Sequence, residues 1–91
     1  MDLKKVERIS KALSDPSRIL ILKEISKKKS CLYCTEISDI VDLAQPSISH
    51  HVKQLIDADL ITSSKEGRAV KYALNNAVLD EYAEFLKSLQ L

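Results

Sequence analysis

A mainly α-helical fold with one small β-hairpin, ordered helix, helix, helix, helix, hairpin, helix, is the class this sequence predicts. Three observations predict it. Apolar residues recur at three- and four-residue steps through most of the chain, a single glycine separates two strand-compatible runs, and capping residues and prolines mark the boundaries. With 91 residues, 45% of them apolar and 30% charged, the chain has the composition of one soluble core, and a single domain spanning residues 1–91 is expected.

The elements follow in order. Leu3, Val6, Ile9, Ala12 and Leu13 line one face of a first helix that stops at Ser14-Asp15-Pro16. Pro16 suits the first turn of a second helix and Asp15 its N-cap. That helix, with Ile19-Leu20-Ile21-Leu22 and Ile25, is apolar most of the way round and is expected to be the buried central one. After Cys31-Leu32-Tyr33-Cys34, Thr35 can cap a short third helix carrying Ile37, Ile40 and Val41. Asp42-Leu43-Ala44-Gln45 forms a tight connection, and Pro46 opens a fourth helix with Ile48, Val52, Leu55 and Ile56 on one stripe. Past Asp59, Leu60 to Lys65 and Ala69 to Leu74 pair as a hairpin with Gly67 at its tip. Asn75 or Asn76 can cap a last helix whose Val78, Leu79, Tyr82, Phe85, Leu86 and Leu89 exceed what a lone surface helix needs.

Charge and composition exclude several functions. A net charge of +1 argues against a non-specific nucleic-acid coat but leaves room for a local basic surface. No apolar run approaches the roughly 18–20 residues that span a bilayer, the N-terminus lacks the apolar centre of a signal peptide, and the two cysteines fit a reducing compartment, so a cytoplasmic protein without membrane contact is expected. Without a glycine-rich phosphate loop or a nucleophile elbow, and with little chain to close a pocket, an enzyme is not expected.

A short helix, a tight turn and a second helix with a polar N-terminal half have helix-turn-helix geometry, in which the second helix enters the major groove. Gln45 can read adenine through two hydrogen bonds. Ser47, Ser49 and His50 are short enough to meet bases or phosphates, and Lys53 adds charge on the same face. Lys65 and Arg68 at the hairpin tip can follow the DNA backbone or probe the minor groove. The competing interpretation is a module whose fourth helix docks on a protein partner. The surplus apolar surface of the first helix (Leu3, Val6, Ile9) and of the last predicts a homodimer through these two helices.

Three segments resemble ArsR/SmtB-type transcriptional repressors: Ala12 to Leu22 with its Ser14-Asp15-Pro16-Ser17-Arg18 centre, Gln45 to Leu55, and Lys65 to Leu74. The resemblance implies a winged helix-turn-helix homodimer on an inverted-repeat operator, with an inducer, often a metal or metalloid ion, weakening DNA binding. It does not carry over to the inducer sites. The last helical segment has no His and offers only Asp80, Glu81 and Glu84. Where the family has Cys-x-Cys at the third helix, this chain has Cys31-x-x-Cys34, with Tyr33 and Thr35 on the family's cysteine positions. The pair can hold one soft ion, act as a redox switch, or be structural, and a tetrahedral zinc site lacks two ligands. His50 and His51 point about 100° apart on a helix and do not share an ion.

Overall fold

In the computed structural model, which describes residues 1–27, 32–33 and 45–90 (the backbone alone for Leu32, Tyr33, Gln45 and Pro46), the described residues form four helices and a three-stranded antiparallel sheet. Helix α1 spans Leu3–Ala12, α2 Pro16–Lys27, α3 Gln45–Asp57 and α4 Asn76–Ser88. The strands are β1 Leu32–Tyr33, β2 Ile61–Glu66 and β3 Ala69–Leu74. The predicted third helix, Cys31 and Cys34 lie outside the described residues.

Local chemistry sets the boundaries. Asp2 caps α1, its Oδ1 accepting from the Lys5 N–H at 2.8 Å. Asp15 holds the start of α2, its Oδ1 accepting from the Ser17 N–H at 2.8 Å. That bond holds the Asp15 carboxyl below the usual carboxylate range; partial desolvation opposes it, and attraction to His51 and Arg18 adds to it. Asn75 rather than Asn76 caps α4, accepting from the Val78 N–H at 3.4 Å.

The end of α3 is a two-bond cap. The Leu60 N–H donates to Leu55 O at 3.0 Å, and the Asp59 N–H donates to Ile56 O at 2.9 Å. This is the Schellman pattern, with Leu55 and Leu60 both fully buried beneath it. It requires a left-handed residue between, and Asp59 takes that conformation at φ 61°. The hairpin turns through Gly67 and Arg68, since Glu66 pairs with Ala69. Gly67 has φ 62°, the sign that a type II′ hairpin demands at its first loop position.

The core gathers Ile9, Ile21, Ile25, Ile48, Leu55, Leu60 and Ile61, with Val52, Tyr72 and Val78 around them. Two expectations change. Helix α2 is not buried all round: Ile21 and Ile25 enter the core one turn apart, while Ile19 and Leu20 stay 43% and 37% exposed. The side of α2 that carries Ile21 and Ile25 is the one packed into the core, where the helix meets α3 and β3. Ile9, expected on the surplus face of α1, lies fully buried in the protomer's own core, which leaves Leu3 as the outlying apolar residue of that helix. The sheet also gains a strand. β1 pairs with β3, Leu32 opposite Tyr72 and Tyr33 opposite Lys71, so β3 is central and the order is β1-β3-β2.

Candidate nucleic-acid interface

Helix α3 divides into two faces. Ile48, Val52 and Leu55 face the core, and Ile56 is half-buried beside them. On the other side Ser47, Ser49, His50 and Lys53 are all exposed. Gln45 is the first residue of the helix, with Pro46 in its first turn, where the missing N–H costs nothing. The sequence-predicted polar residues of this helix therefore lie along an outward surface that its apolar stripe holds in place. Side chains of this kind, short hydroxyls with an imidazole and an ammonium, can donate to phosphates and base edges without holding the helix away from a groove.

Two other elements fix this helix. It packs on α1, α2 and β2. A single guanidinium joins the first two to it. Arg18, on α2, donates through Nε to Ala12 O at 2.7 Å and through Nη2 to Lys11 O at 3.1 Å, both on the last turn of α1. Its Nη1 lies 3.2 Å from Nδ1 of His51 on α3. The sequence did not point to this contact. Arg18 stood out only as part of the Asp15-Pro16-Ser17-Arg18 motif, and no local pattern links it to a residue 33 positions on. His51 is half-buried and His50 exposed, with ring centroids 6.0 Å apart and planes 56° apart, so the two do not converge on one point.

The wing supplies a second cationic surface. Lys65 and Arg68 are exposed at the hairpin tip. Glu66 between them is drawn across the hairpin to Lys71, Nζ to Oε1 3.3 Å, which offsets the one carboxylate at the tip. Among the described residues neither Lys65 nor Arg68 enters an ion pair. The carboxylates of α4 lie elsewhere: Asp80, Glu81 and Glu84 line an open groove of about 440 Å³ with Met1, Phe85 and Ser88, a surface unsuited to a polyanion. Among the described residues no three His, Cys, Asp or Glu side chains come together as a metal cage, and no helix is long and apolar enough to cross a membrane.

A helix-turn-helix domain family model matches residues 13–64, from the end of α1 to the middle of β2. The arsenical resistance operon repressor of Staphylococcus aureus is 37% identical over 86 residues, covering 94% of this chain and 81% of the relative. The chain belongs to the ArsR/SmtB family. A crystal structure of an ArsR family transcriptional regulator superposes with a TM-score of 0.85 at 25% identity, over 97% of this chain and 89% of that one. The solution structure of a homodimeric winged helix-turn-helix DNA-binding domain from Mycobacterium bovis gives 0.77 at 21% identity, over 94% and 79%, and shares the fold. Membership of the ArsR/SmtB family makes the chain a DNA-binding transcriptional regulator and not an enzyme.

Proposed function

We propose that the chain is a repressor that binds an inverted-repeat operator in duplex DNA as a homodimer. In this reading α3 lies in the major groove, with Gln45, Ser47, Ser49 and His50 toward base edges, and Lys53, Lys65 and Arg68 toward phosphates. The observation that carries it is the division of α3 into a buried stripe and an outward polar face. The dimer rests on Leu3, Leu86 and Leu89, which α1 and α4 leave 75%, 46% and 65% exposed. A two-fold axis through these helices covers both sets and sets the two readers about one DNA turn apart, roughly 34 Å. Selection of a duplex from a random pool, followed by binding at several salt concentrations, tests it. The expected result is an enriched inverted repeat whose affinity falls steeply with salt, because phosphate contacts release counterions. Enrichment of nothing, with protein capture through α3 instead, supports the interaction module.

Regulation is assigned to Cys31 and Cys34, the only two cysteines in the chain. The Staphylococcus aureus relative is named for arsenical resistance, and thiolates two residues apart suit a soft ion or a reversible disulfide. Affinity for the selected duplex is to be measured reduced, with diamide, and with arsenite, cadmium or zinc, for the wild type and the Cys31→Ser/Cys34→Ser double variant. A response of the wild type alone supports a thiol switch, and the effective reagent names its chemistry. Affinity within about twofold throughout leaves the cysteines structural.

A further inference from the structure

We propose that Arg18 and His51 form a proton-sensitive strut that sets the attitude of the reading helix α3 against α1, so that protonation of His51 releases DNA. The inference rests on the reading of α3 as the DNA-contacting helix.

An arginine side chain has five N–H donors and no acceptor, so at 3.2 Å the guanidinium donates and Nδ1 of His51 accepts. That assigns the proton of the neutral ring to Nε2. A second proton on the ring places an N–H and a positive charge directly against the Arg18 N–H, and the bond is lost. Which partner then yields is decided by the other two bonds. Arg18 Nε and Nη2 are held by the carbonyls of Ala12 and Lys11, where α1 ends and its dipole is negative. The guanidinium therefore stays with α1, and the imidazole moves with the helix that carries it.

Of the other charged groups on or beside the elements packed against α3, Asp15 is the one that acts on His51. Just ahead of α2, Asp15 attracts a charged His51, and this attraction contributes to holding its carboxyl low. Lys11 of α1 presents its carbonyl to Arg18, while its ammonium lies 3.9 Å from Glu7. The charged residues of β2, Lys65 and Glu66, stand at the far end of the strand, Glu66 paired with Lys71. On α3 itself the nearest ionisable ring is His50. A charged His51 is thus repelled by Arg18 and attracted by Asp15, so one proton changes the balance of forces on the imidazole.

His50 works in the opposite direction, because a charged imidazole on the outward face attracts phosphate. The chain has two histidines, so a His50→Gln background leaves His51 as its one imidazole. The probe is the inverted-repeat duplex selected by the wild type, at constant ionic strength, from about pH 8 to about pH 5.5. Three proteins are compared: His50→Gln alone, with His51→Asn, and with Arg18→Gln. The Asn Oδ1 replaces Nδ1 as acceptor without titrating. The expected result is an affinity loss of about tenfold on acidification for His50→Gln, and less than about twofold for the Asn variant. The Arg18→Gln protein is expected to be weak at both ends of the range and flat between them. Parallel profiles for His50→Gln and His50→Gln/His51→Asn overturn the strut, as does a rise of affinity in acid for His50→Gln. Nitrogen-15 NMR of the wild type at the alkaline end gives a reading that needs no variant to fold: the Nε2–H tautomer supports the strut and the Nδ1–H tautomer overturns it. If the wild type enriches no duplex at all, the DNA reading fails first, and the strut with it.

Discussion

Helices α3 and α4 are both 13 residues long and both amphipathic, yet they leave opposite residues outside. Helix α3 gives Ile48, Val52 and Leu55 to the core and shows water hydroxyls, an imidazole and an ammonium. Helix α4 gives Val78 to the core, packs Leu79 and Tyr82 against it, and leaves Leu86 and Leu89 in water. Their ends differ in the same sense. The C-terminus of α3 is locked by two nested bonds around Asp59, whereas α4 closes with two successive three-residue bonds, Leu89 N–H to Leu86 O at 3.2 Å and Gln90 N–H to Lys87 O at 3.0 Å. A helix finished on one face and solvated on the other is complete within its protomer. A helix with leucines outside is not, and a second copy of the chain is the partner that repeats the same need. Periodicity alone does not separate the two cases; the identity of the outward residues does.

The largest test of this contrast is to charge the outer face of α4. Leu86→Glu/Leu89→Glu is expected to leave the protomer folded, because both side chains are already exposed, and to weaken dimerisation at least about 100-fold. Sedimentation at micromolar concentration checks it; an unchanged dimer breaks the comparison. Next comes the inner face. Leu55→Ala removes a fully buried side chain under the α3 cap and should cost about 2–5 kcal/mol, with Val78→Ala on α4 costing roughly half as much in chemical denaturation. Equal costs would mean that α4 is anchored as firmly as α3.

The outer face of α3 gives a smaller effect with a sharper signature. Ser49→Ala is expected to reduce discrimination between the selected and a random duplex by about 1–3 kcal/mol if it removes one base contact. Arg68→Ala should weaken both duplexes by similar factors and lower the salt slope by about one for each phosphate that the guanidinium neutralises. Fluorescence anisotropy on both duplexes separates the two patterns, and identical behaviour of the variants refutes the division of labour between helix and wing. Smallest is the cap. Asp59 holds a left-handed conformation that glycine adopts without strain, so Asp59→Gly should raise stability by about 0.5–1 kcal/mol. A drop in stability would mean that the Asp59 side chain, not the backbone, holds the end of α3.

Most of this architecture was legible because local chemistry and tertiary burial agree. The stripe of α3, the Asp15-Pro16 start of α2, the cap of α4 and the lone glycine of the wing each announce an element with a physical reason. The rest depends on information that is not local. Two residues cannot display an alternating pattern, so β1 emerges only once β3 stands beside it. The exposure of Ile19 and Leu20 depends on which side of α2 receives neighbours, and the burial of Ile9 on how closely α1 lies over the core. Gly67 could be recognised at a turn, but Asp59 occupies a left-handed position without being glycine. Of the candidate interface, the residue types and their face were readable, while the Arg18–His51 contact needed three helices to meet.

Strand β1 gives β3 a second neighbour at Tyr72 and Lys71, on the side opposite β2. Among the described strands, Ala69 and Val70, nearer the tip, pair with β2 alone. The hairpin is thus braced on both flanks at its root and on one at its end. A beam clamped in this way bends at its tip, so the cations of Lys65 and Arg68 can shift to follow a phosphate while the strand that feeds α4 stays in register.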